Sequence, residues 1–447
     1  MNDFSKGKVS TNILKQTIPL LCAQFVQILY NVVDRIYIGH LDNVGSMALT
    51  GIGLVFPLTT LIMAFTQLYA MGGTPLFSMA RGRKDEQEAH RILGHVVSLT
   101  CITAILLMIV CYRFKKPILY AFGASDDSYY YANAYLKIYL MGTLFTMFST
   151  ALNGFINAQG FPKIGMGTVV IGAALNLVLD PIFIFVFHLG IQGAAIATVL
   201  SQFVSFCWVL LFFRGKKTLY HIKKEYLKLE PKLTKRIFSL GTAGFIMQAT
   251  NCAVQIVCNN MLSIYGGDLY LGIMTVLNSV REVSTLPVSA LGAGGQPVIG
   301  YNYGAKKYKR VKEGIRFNIL LGVSYTILFW FCIIRFPHFF MSIFTSDEAL
   351  IEAGTPSLQL YYLGFCFMAF QFCGQTTFQA LGCAKRAIFF SLLRKAIIVI
   401  PLTIYLPTIM GINGVFLAEP ISNIVGGLAC FITMHFSLYK KLPNEDE

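Results

Sequence analysis

Long apolar runs alternate with short polar segments along almost the whole chain. Each run is about 20 residues long, which is the length that an α-helix needs to cross the hydrocarbon core of a bilayer. Twelve such runs are centred near Phe25, Leu61, Ala104, Gly142, Gly172, Phe203, Thr250, Thr285, Tyr325, Phe367, Ile398 and Gly426. The pattern therefore predicts an all-α membrane protein with twelve transmembrane helices and little chain left for a soluble domain.

Composition and charge agree with this prediction and orient the helices. Of the 447 residues, 55% are hydrophobic and 13% are charged, whereas soluble domains carry about 25% charged residues. The net charge of +15 does not indicate a nucleic-acid partner, because most Lys and Arg fall in the termini and in the loops after helices 2, 4, 6, 8 and 10, to which we assign Arg394 and Lys395. Positive charge marks the cytoplasmic side. We therefore predict a multi-pass protein of the inner (cytoplasmic) membrane with both termini in the cytoplasm.

The chain lacks the sequence patterns of a secreted or catalytic protein. No small-residue cleavage site follows the first apolar run, so we expect that run to remain as helix 1. Nearly all of the 11 cysteines lie in apolar segments and none forms a CxxC pair, which is typical of reduced packing residues. No Walker loop, HExxH or nucleophile elbow occurs. We expect neither enzymatic activity nor a cofactor.

Three sequence motifs recur in the same order at an almost constant distance. GGTPLFSMARGRKD from Gly72 matches GGQPVIGYNYGAKK from Gly294, at an offset of 222. AQGFPK matches ALGCAK at the same offset, and GIQGAAIA matches GINGVFLA at 221. We therefore predict two six-helix lobes, residues 1–213 and 237–447, joined by a basic cytoplasmic linker, residues 214–236. Because six is even, the lobes insert in the same orientation and are parallel repeats related by a pseudo-two-fold axis.

Polar residues inside the apolar runs fall on single helix faces. A stripe in helix 1 has the three- and four-residue steps of one helix face and contains Gln24, Gln27, Asn31 and Asp34. Further polar residues form pairs one turn apart, namely Asn153 with Asn157, Asn176 with Asp180, Thr198 with Gln202, and Gln375 with Gln379. We expect these faces to line a cavity with amides in both lobes. Interhelical hydrogen bonding is the alternative for each glutamine.

The two intramembrane carboxylates do not take part in the repeat. At the offset of 222, Asp34 corresponds to Ile256 and Asp180 to Leu402. An acid within the membrane is by default a functional-site hypothesis. It can take up a proton, and together with Asn and Thr oxygens it suits a small hard cation such as sodium. The first lobe alone is therefore predicted to hold a coupling-ion site.

These residues resemble the multidrug and toxic compound extrusion (MATE) transporters, and within them the DNA-damage-inducible F-type and staphylococcal multiresistance-like branch. The resemblance covers essentially the whole chain, through TIPLLCAQFVQILYNVVDRIYIG, both GGxP motifs, GFINAQGFPK, ALNLVLDPIFIF and GIQGAAIATVLSQ. It implies a V-shaped twelve-helix antiporter with a central cleft and a helix 1 that bends near Pro19. The coupling of a proton or a sodium ion is implied for Asp34, Asn176, Asp180 and Thr198. Substrate contacts are implied for Gln27, Tyr30, Asn153 and Asn157, to which the polar faces add Asn31, Gln375 and Gln379.

The second lobe departs from other branches of this family, which place essential acids there. The candidates in this chain are Glu282 and Glu419. Glu282 directly follows Arg281, but neighbouring residues on a helix do not face each other. Glu419 precedes Pro420 near the start of helix 12, where an acid also favours a helix N-terminal end.

We therefore expect a secondary active efflux antiporter, acting as a monomer, that exports amphipathic organic cations in exchange for protons or sodium ions by alternating access. One alternative is a flippase of lipid-linked saccharides, but such carriers usually have a more cationic cavity than the few interior basic residues of this chain would form. The other is a membrane scaffold or receptor without transport, which would not need repeated cavity-facing amides.

Overall fold

The computed structural model describes residues 2–39, 45–122, 126–344 and 348–444, with side chains described there except at 31, 32, 34–36, 38, 39, 45–52, 127 and 268. Within these ranges the regular structure is helical and no strand occurs. The α-helices, numbered in chain order, are α1 (Val9–Gly39), α2 (Gly45–Gly82), α3 (Glu86–Ala121), α4 (Asp126–Met141), α5 (Thr143–Ala158), α6 (Pro162–Pro181), α7 (Gly190–Arg214), α8 (Pro231–Gly304), α9 (Tyr308–Arg335), α10 (Pro337–Ser342), α11 (Glu348–Tyr362), α12 (Phe365–Ala380), α13 (Ala384–Leu392), α14 (Ile400–Tyr405), α15 (Pro407–Met410) and α16 (Ile412–Ser437).

The predicted membrane spans coincide with this helical structure. Within the described ranges, nine helical stretches are long and apolar enough to cross a membrane. The three remaining predicted spans are also helical: two are broken into α4/α5 and α11/α12, and the third is the part of α8 that follows a kink at Gly267. The predicted all-α fold class is thus found. Two short π-helices, Ile182–Val186 after α6 and Leu393–Val399 after α13, interrupt the regular turns.

The internal repeat is visible in the backbone. The break between α4 and α5 falls at Gly142 and that between α11 and α12 at Gly364, 222 residues later. Lys84 and Lys306 both have positive φ angles, 60° and 56°. At Gly160 and Gly382 the φ angles are 88° and 73°, a left-handed conformation that glycine adopts without a steric penalty. The duplicated sequence therefore specifies duplicated turns.

The chain forms two compact units, which we call unit 1 (Met1–Asp3 and Ile18–Gly241) and unit 2 (Phe4–Thr17 and Thr242–Glu447). Helix α1 contributes to both, and the change falls next to Pro19, inside the helix. In unit 2, the N-terminal residues Phe4, Val9 and Ile13 are buried against Leu291 and Val298.

The basic linker is folded onto unit 1. Ser98 Oγ donates to the carbonyl oxygen of Leu227 at 2.7 Å, and the backbone N–H of Glu230 donates to His95 Nε2 at 2.7 Å. Thr218 Oγ1 donates to Gln159 Oε1 at 2.9 Å. These bonds fix both ends of the linker to α3 and to the end of α5.

Two basic residues were wrongly assigned to a cytoplasmic loop. Arg394 and Lys395 lie inside the candidate span Ala384–Met410, and Lys395 is 4% exposed. They follow Lys385 and Arg386, which lie at the start of the same helical stretch. The helix continues past that pair, so eight more residues carry Arg394 and Lys395 into the interior.

Candidate functional site

Unit 1 contains a polar cavity of about 420 Å³ between α1, α2, α5, α6 and α7. Helices α6 and α7 approach closely there, because Ser205 Oγ donates to the carbonyl oxygen of Thr168 at 2.9 Å. The cavity is lined mainly by amides and hydroxyls, with few apolar side chains. The lining residues are Gln27, Tyr30, Met63, Thr146, Ser149, Thr150, Asn153, Thr168, Val169, Gly172, Ala173, Asn176, Thr198, Ser201, Gln202 and Ser205.

Asp180 lies beside this cavity, at the end of α6. Its side chain is 1% exposed, and Asn176 Nδ2 donates to its Oδ1 at 3.2 Å. Pro181 follows directly and removes a backbone donor, and the π-helix Ile182–Val186 begins there. Single π-turns of this kind are frequent at functional sites.

Asn176 connects Asp180 to α7. The Nδ2 group of Asn176 also donates to Thr198 Oγ1 at 3.4 Å, and Thr198 in turn donates to the carbonyl oxygen of Ala194 at 2.9 Å. The Oδ1 atom of Asn176 is buried and has no hydrogen-bond partner within the described part of the chain. The amide nitrogen of Asn176 thus joins the carboxylate of Asp180 and the hydroxyl of Thr198, whereas its amide oxygen points away from both.

The structure brings some of the predicted substrate residues together and separates others. Gln27, Tyr30 and Asn153 line the unit 1 cavity. Asn157 is buried next to Asn153 but does not line it; its Oδ1 instead faces Gly165. The side chains of Asn31 and Asp34 lie outside the described residues.

Sequence reasoning missed most of the hydroxyl groups of this cavity. On α7, Thr198, Ser201 and Ser205 follow at steps of three and four residues. The same spacing identified the stripe in helix 1, so it was a usable signal for α7 as well. Serine and threonine are less conspicuous than amides in an apolar helix because they can donate to the backbone of their own helix, as Ser201 does to Ala197 at 2.8 Å.

Unit 2 contains a smaller cavity, of about 120 Å³, and it is built around ionic groups. Glu419 is 6% exposed and lies 3.6 Å from Arg281, 3.3 Å from Arg394 and 3.4 Å from Lys395. Arg394 Nη1 also donates to Asn423 Oδ1 at 2.9 Å. The interior of unit 2 is therefore richer in basic groups than expected from the sequence.

The four amides that line this second cavity are Asn251, Gln255, Asn259 and Asn278. The predicted Gln375 and Gln379 are not among its lining residues, although both are buried. Gln379 Oε1 accepts a hydrogen bond from Gln296 Nε2 at 3.5 Å. Glu282 is exposed, so the two acidic candidates of this unit lie in different surroundings.

The sequence profile of the MatE family matches residues 19–182 and 244–405, which is more than half of the chain. The chain belongs to the MatE family. One matched segment lies in each unit of this MatE protein, as expected for an internal repeat.

Relatives and solved structures are similar to this MatE protein over nearly its full length. The multidrug export protein MepA of Staphylococcus haemolyticus (strain JCSC1435) is 26% identical, covering 98% of this chain and 96% of its own. MepA of Staphylococcus aureus (strain N315) is 24% identical, with 97% and 95% coverage. A MOP superfamily transporter from Pyrococcus furiosus superposes with a TM-score of 0.91 at 22% identity over 98% of both chains. An outward-facing multidrug resistance MATE transporter gives 0.91 at 21%, also over 98% of both.

These structures share the twelve-helix, two-lobe fold. The predictions of twelve transmembrane helices and of a resemblance to the extrusion transporters are therefore confirmed. The roles of individual site residues remain predictions.

Proposed function

We propose that this MatE protein is a secondary active multidrug efflux antiporter. In this proposal it exports amphipathic organic cations by alternating access and takes up a proton or a sodium ion in exchange. The observation that carries the proposal is the buried carboxylate of Asp180, held by Asn176 beside a large polar cavity. The names of the staphylococcal relatives support the same direction, since both are multidrug export proteins.

The coupling ion is cargo, and the residues around Asp180 fit it. The carboxylate of Asp180, the hydroxyl of Thr198 and, after rotation of its amide group, the unpartnered Oδ1 of Asn176 offer three kinds of oxygen ligand. A sodium ion would bind to these oxygens, and a proton would neutralise Asp180 instead. In both cases the negative charge beside the cavity is cancelled, which weakens the attraction for a bound organic cation. We propose Asp34 as the second carboxylate of this ion site.

The unit 1 cavity suits the proposed substrates. Its volume of about 420 Å³ lies within the range of about 300–1,000 Å³ that is usual for drug-sized ligands. The ring of Tyr30 and the thioether of Met63 provide polarisable surface for a hydrophobic cation. The amides of Gln27 and Asn153 accept or donate hydrogen bonds in several geometries, which favours substrates of varied shape.

Export of a cation against the membrane potential requires a second ion that moves inward. The membrane potential opposes the export of a cation by about 2.3 kcal/mol per 100 mV. An inward proton or sodium ion moves down that potential and supplies the missing free energy. In this proposal the protein works as a monomer in the cytoplasmic membrane, with both termini in the cytoplasm.

A flux assay in proteoliposomes tests the proposal. Purified protein is reconstituted with a fluorescent lipophilic cation, and efflux is recorded under an imposed proton gradient or an imposed sodium gradient alone. We expect one of the two gradients to drive the flux, and the inactive gradient serves as the control. Absence of gradient-driven flux under both conditions would contradict the antiporter proposal.

The basic groups of unit 2 bear on the alternative function, a flippase of lipid-linked saccharides. Arg281, Arg394 and Lys395 are basic groups of the kind that a flippase of lipid-linked saccharides needs for phosphate. The adjoining cavity of about 120 Å³ is small for such a headgroup. Translocation of a lipid-linked saccharide in the same vesicles, without cation flux, would favour the flippase.

A further inference from the structure

Unit 2 carries basic side chains at positions where unit 1 carries small uncharged residues. At the repeat offset of 222, Arg394 and Lys395 occupy the positions that correspond to Gly172 and Ala173, which line the unit 1 cavity. Two long basic side chains in unit 2 thus replace two small residues in unit 1. The cavity is correspondingly smaller, about 120 Å³ against about 420 Å³.

The basic groups of unit 2 exceed the acidic ones. Ion pairs in the described part of the chain give Arg281, Arg394 and Lys395 one shared carboxylate partner, Glu419. Lys395 Nζ donates a hydrogen bond of 3.4 Å to each carboxylate oxygen of Glu419. Arg394 and Lys395 are largely buried and Arg281 is partly exposed, and when all three are protonated the cluster carries two positive charges more than the single carboxylate balances. A buried charge without a compensating partner is unfavourable, so a bound anion would stabilise this cluster.

The cavity next to this cluster is equipped with hydrogen-bond donors. Arg281 and Lys395 line it together with their carboxylate partner Glu419, and Arg281 Nη1 donates to the hydroxyl oxygen of Tyr361 at 3.0 Å. Thr403 lines the same cavity, is 1% exposed and has an Oγ1 without a hydrogen-bond partner among the described residues. Asn251 and Asn278 add amide groups to the wall. A hydroxyl, a guanidinium and an ammonium that face one small space are the donor set for an anion.

We propose that the unit 2 cavity binds a small anion, a carboxylate or a halide, which compensates the excess charge of the Arg281, Arg394 and Lys395 cluster. The anion accepts hydrogen bonds from Lys395 Nζ, the guanidinium of Arg281 and the hydroxyl of Thr403. The volume of about 120 Å³ limits the ligand to a few non-hydrogen atoms, well below drug size. The site does not depend on the proposed cation antiport, since it uses other residues in the other unit.

Thermal unfolding and calorimetry of the purified full-length protein test this site. Sodium acetate or sodium chloride replaces sodium gluconate, a bulky anion, at constant ionic strength. We expect a saturable rise in the unfolding temperature, because a ligand that binds only the folded state stabilises it. Titration calorimetry then gives the affinity of each anion. Saturation by acetate alone identifies a carboxylate site, and saturation by chloride as well identifies a site for small anions in general.

Two charge variants are expected to shift the affinity in opposite directions. Lys395→Gln removes a positive ligand and should weaken anion binding by at least about tenfold, and Glu419→Gln removes the competing negative charge and should tighten binding by a similar factor. Lys385→Gln is the matched control, because Lys385 is exposed on the same helical stretch. If the cluster only stabilises the fold and binds no anion, Glu419→Gln should instead lower the stability and give no gain in anion affinity.

Thr403→Val provides a test that leaves the charges intact. It keeps the side-chain volume and removes a hydroxyl that has no partner within the described part of the chain, so it should weaken anion binding severalfold while the protein stays folded. Equal unfolding temperatures in acetate, chloride and gluconate for the wild-type protein would overturn the proposal. So would unchanged affinity in both Lys395→Gln and Thr403→Val. The flux assay in proteoliposomes measures cation antiport independently of anion binding.

Discussion

The two cavities differ mainly in the charged side chains that lie beside them. Asp180 in unit 1 is fully buried with an amide as its neighbour, whereas Glu419 in unit 2 is buried among three basic groups. A carboxylate next to an amide can exchange its proton or bind a cation. A carboxylate that already pairs with three cations has little affinity left for another one. We therefore propose ion coupling at Asp180 rather than at Glu419.

Replacing Asp180 by Asn tests this assignment. Asp180→Asn keeps the side-chain volume and the contact with Asn176 but removes the charge, so we expect gradient-driven efflux to fall to the background of empty vesicles. The same result is expected for Asp34→Asn. Efflux is measured in proteoliposomes, and size-exclusion chromatography in detergent checks that both variants remain folded.

Asp126→Asn is the control for these variants, because Asp126, the first residue of α4, is exposed. It should retain the efflux rate of the wild-type protein. Wild-type efflux by Asp180→Asn and Asp34→Asn together would contradict the coupling site.

At some places the helix backbones approach each other so closely that only glycine fits between them. A side chain at Gly241 in α8 would overlap the carbonyl oxygen of Leu68 in α2. Because that obstacle is a backbone atom, no side-chain rotation can relieve it. The approach of α2 and α8 within unit 1 therefore depends on the absence of a side chain at position 241.

Gly241→Ala should consequently destabilise unit 1. We expect a loss of about 1–3 kcal/mol, as for other overpacked sites, and a lower unfolding temperature in detergent by tryptophan fluorescence. Gly53→Ala is the matched control, since a side chain at Gly53 in α2 meets nothing within 4 Å. It should be neutral or stabilising by up to about 1 kcal/mol, the helix propensity difference between the two residues. An equal loss of stability in both variants would show that the close approach of α2 and α8 does not require glycine at position 241.

The distribution of charge along the chain predicts a membrane topology for the whole molecule. The linker between α7 and α8 carries a dense basic cluster, and such clusters resist translocation. The segment before α4 is separated from the cytoplasmic N-terminus by three predicted spans, so it is expected on the outside. We keep this prediction although Arg394 and Lys395 lie inside a span, because the remaining basic residues still favour the same loops.

Cysteine labelling in intact cells tests this topology. A membrane-impermeant maleimide should label Asp126→Cys and should leave Lys217→Cys unlabelled, because only the first site faces the outside. Both residues are exposed on the protein surface, so burial cannot explain a difference. The wild-type protein, with its 11 native cysteines, gives the background. Labelling of both sites from outside would mean that a helix had been miscounted.

The sequence by itself determined the helices, their number and their duplication. These features depend on local patterns: the length of apolar runs, the positions of Gly142 and Gly364, and the recurrence of GGxP. The stripe of polar residues on one helix face is equally local. It correctly indicated that Gln27 would face a polar cavity.

Only the tertiary structure decided which polar residues share a cavity. Asn153 lines it and Asn157 does not, although they are one turn apart and both side chains lie against Gly165 of α6. Arg281, Lys395 and Glu419 come together from three distant helices, and no spacing in the sequence connects them. Burial of charge depends on how helices pack across the interior, and a pattern along the chain records only the face on which each residue lies.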